Sequence, residues 1–287
     1  MYGGLCEAGG VLYVGRHAKS ASVTAFDLDG HPIRTIVRFQ DAKAGRSAAT
    51  GLSLDHDHRL WIADGPAGCV RGYTLFGVQV VCLEPATERR DQVGDLGYPV
   101  ATLALGEDED MVLVVASGGR RRHAVQVLHT VRGTNLSLRP LGDPEGRFEE
   151  VCAIAARGTR ELLVLEAAAA RIQVFRGGDY HFSIPLHEAG PGARPSCMVV
   201  APDGHVVVGF GGERSSVWVF DDEGRRIACI AEGGREDGQV EDPCALALAP
   251  SQGLQPARVF VMDAFGDRVQ VFTLQGVCYG AFPALVS

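Results

Sequence analysis

This 287-residue sequence predicts an all-β fold, a six-bladed β-propeller of four-stranded antiparallel blades, and three observations carry the prediction. A hairpin of two apolar runs around a short turn recurs six times. The residues closing those hairpins, Phe26, Tyr73, Leu128, Phe175, Phe220 and Phe272, are spaced 47, 55, 47, 45 and 52 residues apart. Each hairpin has a further short apolar stretch before and after it, and a four-strand unit at this period marks a propeller blade rather than a sandwich.

In chain order the hairpins are VLYVGRHAKSASVTAF (11–26), RLWIADGPAGCVRGY (59–73) and MVLVVASGGRRRHAVQVL (111–128), then ELLVLEAAAARIQVF (161–175), VVVGFGGERSSVWVF (206–220) and VFVMDAFGDRVQVF (259–272). Runs ahead of them, such as VATLAL (100–105), VCAIAA (151–156) and CALALAP (244–250), supply the innermost strands. Stretches behind them, as in DLDGHPIRTI and TLQGVCYGAF, supply the fourth strands, with Asp29-Gly30, Glu223-Gly224 and Gln275-Gly276 at the reversals, where a positive φ is needed. The Ala-rich piece 166–170 is too short for a helix and falls where the other copies turn. One domain of six blades follows, at approximately 1–40, 41–84, 85–142, 143–187, 188–232 and 233–287. In the first copy only Gly4-Leu5-Cys6 matches the inner run. The tail Pro283-Ala284-Leu285-Val286 is therefore expected to supply or extend an inner strand beside the first blade.

Composition narrows the function classes. A net charge of −8 disfavours general phosphate-backbone binding. Eight cysteines without a C-x-x-C pair fit neither a zinc site nor a disulfide framework, so a reducing compartment and a cytoplasmic location are expected. No leader or membrane span is legible, and a monomer is expected.

The segment from Asp242 to Phe282 resembles an NHL repeat, with its Pro-led inner strand, a strand ending in V-x-D, then R-V-x-V-F and a Gly turn. The fourth copy keeps Arg171-Ile172-Gln173-Val174-Phe175 with Glu166 for the Asp, and the second keeps Asp64. Arg16, Ser117 and Phe210 replace that residue in the first, third and fifth copies. The resemblance implies a six-bladed propeller that serves as a binding platform for proteins or RNA, a few related propellers being lyases or lactonases.

In a propeller the turn between second and third strands opens on the same face as the links between blades. That places Arg16, His17 and Lys19; Asp64; Ser117, Arg120, Arg121, Arg122 and His123; Glu166; Phe210, Glu213 and Arg214; and Asp263 and Asp267 on the candidate binding face. Asp64, Glu166 and Asp263 occupy equivalent positions in alternate blades and are candidate ligands for Ca²⁺ or another divalent cation at the channel. The plainer reading, preferred here, pairs Asp263 with Arg268 and Glu166 with Arg171 inside one blade. The arginine run 120–122 suits an acidic partner or phosphate, but a solvated loop tip is the simpler account. His56 and His58 lie in a turn on the opposite face, where Asp55 and Asp57 have turn chemistry to explain them. Cys152, Cys197 and Cys244 recur at one inner-strand position, with Gly51 as the second blade's counterpart, and packing accounts for them. No nucleophile elbow, phosphate loop or H-E-x-x-H is present. The sequence thus predicts a non-catalytic, cofactor-free platform for a protein or peptide. The alternatives are a metal-assisted hydrolase or lyase at the central channel, and an RNA-binding propeller using Arg16 and Arg120 to Arg122.

Overall fold

Second-strand runs such as LWIA, LVVA and VFVM are apolar at consecutive positions, a pattern stable only with both faces of the strand covered. The computed structural model describes residues 3–16, 21–39, 47–84, 92–130, 132–139, 147–190 and 192–284. It covers those runs by packing six sheets face to face in a ring. Blade one holds β1 (Gly4–Ala8), β2 (Val11–Gly15), β3 (Ser22–Asp27) and β4 (Pro32–Arg38). Blade two holds β5 (Gly51–Leu54), β6 (Arg59–Asp64), β7 (Cys69–Thr74) and β8 (Gln79–Leu83). Blade three holds β9 (Pro99–Leu105), β10 (Val112–Ser117), β11 (Val125–His129) and β12 (Thr134–Ser137). Blade four holds β13 (Val151–Arg157), β14 (Glu161–Glu166), β15 (Arg171–Arg176) and β16 (Asp179–Pro185). Blade five holds β17 (Arg194–Val200), β18 (Val206–Gly211), β19 (Ser216–Phe220) and β20 (Arg226–Gly233), with the two-residue β21 (Gln239–Val240) added in parallel at its outer edge. Blade six holds β22 (Pro243–Ala249), β23 (Arg258–Asp263), β24 (Arg268–Thr273) and β25 (Cys278–Pro283).

Within every blade consecutive strands pair antiparallel, and each innermost strand touches the innermost strands on either side, β1 against β22 included. The core is divided accordingly into six apolar clusters, one at each blade boundary. The cluster joining blade six to blade one contains Leu12, Val14, Phe26, Phe260, Met262 and Phe282, so the ring closes with the same kind of packing found elsewhere in it. Phe26 and Phe282 lie 5.2 Å apart between ring centroids, and Arg258 reaches across to the Leu28 carbonyl (2.9 Å) and the Asp29 carboxylate (2.8 Å).

This closure corrects the expectation for the tail. Pro283 pairs with Arg268 and the Ala284 amide donates to the Asp267 carbonyl at 3.0 Å, which keeps both residues on the outer strand of their own blade. The inner strand needs no supplement, because β1 already pairs with β2 over five residues. Leu285 and Val286 lie outside the described residues. Among the described residues the helical content is two single 3-10 turns, and no helix is long and apolar enough to cross a membrane.

Candidate functional site

The geometry of the link-bearing face is set by register. Pro99 pairs with Ser117, Val151 with Glu166, Pro195 with Phe210 and Pro243 with Asp263. The residues one step earlier, Tyr98, Glu150, Arg194 and Asp242, therefore share one position around the ring, immediately ahead of the innermost strands.

The residues opposite, at the ends of the second strands, are buried. Asp64, Glu166 and Asp263 are at most 1% exposed. Asp64 accepts hydrogen bonds from the Ala48 amide (3.0 Å), the Ala67 amide (3.3 Å) and Arg71 Nε (3.1 Å). Glu166 accepts from the Glu149 amide (2.7 Å), Arg171 Nε (2.6 Å) and Gln173 Nε2 (2.7 Å). Asp263 accepts from the Glu241 amide (3.3 Å) and the Asp242 amide (3.1 Å), with the Arg268 guanidinium 3.6 Å away. Each carboxylate thus satisfies amides of the incoming link, which would otherwise be orphaned, and ties them to an arginine of its own third strand. None of the three lines the channel. Ser117 and Phe210, at the corresponding ends of the second strands in blades three and five, are buried too: Ser117 donates its hydroxyl to the Leu96 carbonyl, and Phe210 packs 5.9 Å from Phe220.

Most of the remaining candidates are nearer solvent. Arg16 donates to both carboxylate oxygens of Asp267 (2.8 and 3.0 Å), joining blade one to blade six. Arg120 pairs with Glu149 at 3.3 Å and Arg121 with Asp95, while Arg122 is exposed in the same loop. His123 is buried, its Nδ1 2.7 Å from the Ser137 hydroxyl. Glu213 and Arg214 are exposed, and Phe265, in the turn that holds Asp267, is 71% exposed. His17 and Lys19 lie outside the described residues. On the other face His56 lies 3.9 Å from Glu107, and Asp55 accepts hydrogen bonds from the Arg59 amide and Trp61 Nε1, each at 2.8 Å.

Along the axis runs a channel of about 380 Å³ walled by the six innermost strands, and at its mouth sits a second cavity of about 190 Å³. Glu150, Arg194, Ser196 and Asp242 line the mouth, and Val100, Cys152, Ser196 and Cys244 are walls of both spaces. The Arg194 guanidinium pairs with Glu150. The Asp242 carboxyl is raised above the ordinary carboxylate range, chiefly by burial. Burial likewise raises the thiols of Cys152, Cys197 and Cys244, that of Cys197 to about 12, which keeps them as neutral packing groups. Among the described residues no group of three His, Cys, Asp or Glu is placed to hold a metal ion.

Sequence reasoning missed two sets of residues. Tyr98, Glu150, Arg194 and Asp242 have no chemistry in common, and the signal available was their place before the Pro or Val that opens each inner strand. Buried Gln126 and Gln270 bind the links on both amide atoms: Gln126 accepts from the Gly94 amide (2.7 Å) and donates to the Asp95 carbonyl (2.8 Å). Gln270 does the same with the Gly238 amide (2.9 Å) and the Gln239 carbonyl (2.5 Å). The Gln repeated at one third-strand position, in A-V-Q-V-L, R-I-Q-V-F and R-V-Q-V-F, was their signal.

No protein-family model matches the sequence, and no curated protein does. Solved structures do match. Virginiamycin B lyase from Staphylococcus aureus superimposes with a TM-score of 0.61 at 13% identity, over 99% of this chain and 84% of that one. The WD40 β-propeller domain of Doa1 gives 0.61 at 12% identity, over 94% and 78%. A chain of the mitotic checkpoint complex gives 0.58 at 14% identity, over 100% and 81%. The likeness is one of fold.

Proposed function

We propose that this propeller is a non-catalytic platform of the NHL kind that binds a protein or peptide segment across its link-bearing face. The observation that carries the reading is the make-up of that face: exposed Arg120, Glu213, Arg214 and Phe265 stand on the turns of blades three, five and six, in a ring whose links into blades two, four and six are held by the buried carboxylates of Asp64, Glu166 and Asp263. A rigid scaffold with an apolar anchor and charges of both signs suits peptide recognition. The same pairing weakens the RNA alternative, because Arg16, Arg120 and Arg121 already face carboxylates. The hydrolase or lyase alternative draws on the mouth cavity with Glu150, Arg194 and Asp242, and on the titles of the lyase neighbours. It would need Asp64, Glu166 or Asp263 to give up their present partners before any of them held a metal.

Selection from a random peptide display library tests the platform. Peptides enriched on the wild-type protein should lose about tenfold in affinity, roughly 1.4 kcal/mol, with Phe265→Ala or Arg214→Ala. Enrichment indifferent to both substitutions, or no enrichment, would sink the reading.

A further inference from the structure

Of the eight free cysteines, Cys69 and Cys82 lie on neighbouring strands of blade two, β7 and β8. In their antiparallel register Val70 faces Leu83 and Arg71 faces Cys82. Val70 and Leu83 pack into the cluster shared with blade three, so alternation turns Cys69, Arg71 and Cys82 to the opposite face, toward blade one. Cys69, two residues before Arg71, is therefore the diagonal neighbour of Cys82 on one face of the sheet, within side-chain reach. The two thiols are hydrogen-bonded to each other.

Their surroundings differ. Cys69 opens β7 directly after the turn at 65–68 on the link-bearing face; it is buried, and burial pushes its thiol up to about 12. Cys82 is half-buried on the outermost strand of the blade, which is hydrogen-bonded on one side only, and the Arg71 guanidinium stands beside it. A part-exposed thiol next to a guanidinium is the one that meets an oxidant first. The inner-strand thiols are differently placed: Cys152 donates to the Leu165 and Pro195 carbonyls at 3.5 Å each, and Cys197 to the Pro243 carbonyl at 3.6 Å.

We propose that Cys69 and Cys82 form a redox-sensitive clip, closed by a small-molecule disulfide such as oxidised glutathione, that ties the outer strand of blade two to its third strand. The Cys82 thiolate attacks one sulfur of glutathione disulfide; the S–S bond of the reagent breaks, a mixed disulfide forms on Cys82 and one glutathione thiolate leaves. The Cys69 sulfur then attacks the Cys82 sulfur, its proton passing to the second departing glutathione. Two protein thiols are oxidised and one glutathione disulfide is reduced to two glutathiones. The small closing movement falls on β8, which no further strand holds. Once closed, the bond shortens the free chain between Cys69 and Cys82 in the unfolded state and so raises stability. This inference stands apart from the platform reading, since the bond forms or fails to form whatever the peptide selection returns.

The test takes the full chain, folded and reduced, through buffers of rising oxidised-to-reduced glutathione ratio, quenches with iodoacetamide and maps tryptic peptides without reduction. Trypsin cuts after Arg59, Arg71 and Arg89, which puts the two cysteines on separate peptides. The expected product is one cross-link, residues 60–71 to residues 72–89, lighter than the two peptides by two hydrogens. The thermal midpoint of the oxidised protein should rise by about 3–6 °C. Cys69→Ser should instead accumulate glutathione on Cys82, and Cys82→Ser should leave Cys69 unmodified in the native protein. No cross-link at any ratio, a cross-link through another cysteine, glutathione retained on Cys82 of the wild type, or an oxidised form that melts no higher each overturns the clip. The wild-type map and melting comparison need no variant, so they hold even if a substitution fails to fold.

Discussion

Asp64, Glu166 and Asp263 each do at one atom group what a turn does with several residues: they collect the amides of an incoming link and hold them against the end of a second strand. A carboxylate at this depth is tolerated because it accepts two or three hydrogen bonds and lies beside a guanidinium, and removing it leaves that guanidinium and at least one amide unsatisfied. Glu166→Ala should therefore cost about 3–5 kcal/mol in urea unfolding, and a loss below about 1 kcal/mol, the size of an exposed pair, would contradict the assignment. A second prediction concerns pH. Burial alone would raise the Glu161 carboxyl, but Arg157 Nε (2.5 Å) and Arg176 Nε (2.7 Å) outweigh it and hold the group below its ordinary value. A carboxyl depressed in the folded state contributes stability that is complete above its unfolded pKa, roughly 4.3, and lost as pH falls through the folded value. The gap in urea midpoint between wild type and Glu161→Gln should be present at neutral pH and close below about pH 4; a gap independent of pH would rule the account out. At this scale the sequence was half legible. Repeat logic located the Asp263 and Glu166 partners because acid and base recur together, whereas Glu150, Arg194 and Asp242 share only a register position, which composition does not mark.

Among elements, the tight turns between third and fourth strands repeat one device. Gly77, Gly224 and Gly276 have positive φ, and a Cβ on them would strike the carbonyl oxygen of Ile36, Pro185 or Cys229 on the fourth strand of the preceding blade, at 2.3, 1.8 and 2.5 Å. Gly30 meets Phe282 of blade six in the same way, at 2.4 Å. These glycines serve blade docking as well as the turn. Gly177, at φ 59° with open space around it, serves the turn alone. Gly177→Ala should cost about 1 kcal/mol in thermal unfolding, while Gly224→Ala adds displacement of the Pro185 carbonyl and should exceed about 2 kcal/mol. Equal costs would show that docking is not involved. The Gly turns were readable in the sequence for their φ; their contact with the preceding blade was not, since it depends on the distance between sheets. Nor was β21 readable, being two residues of parallel pairing with no pattern of its own.

For the whole molecule, the six-blade count was carried by the recurrence of large apolar anchors, several of which prove to be among the largest fully buried side chains: Phe26, Phe175, Phe220 and Phe272. Large residues at one repeat position announce a core divided by blade. The small, variable turns between second and third strands carry no such signal. The closure of the ring was misread from the sequence because an added strand looked necessary, whereas Phe26, Phe282, Arg16, Asp267 and Arg258 do the work from side chains. Phe282→Ala removes the aromatic partner of Phe26 and should lower stability by about 3–5 kcal/mol, read from the chemical denaturation midpoint. The absence of an exchanged strand at this boundary, among the described residues, also has a mechanical meaning. Under tension applied at Gly3 and Ala284, no backbone ladder crosses the line of load between blades six and one, so rupture there should be brittle, occur at low force and precede extension of any sheet. A linker cysteine pair spanning that line would carry the tension instead and move the first rupture into a blade.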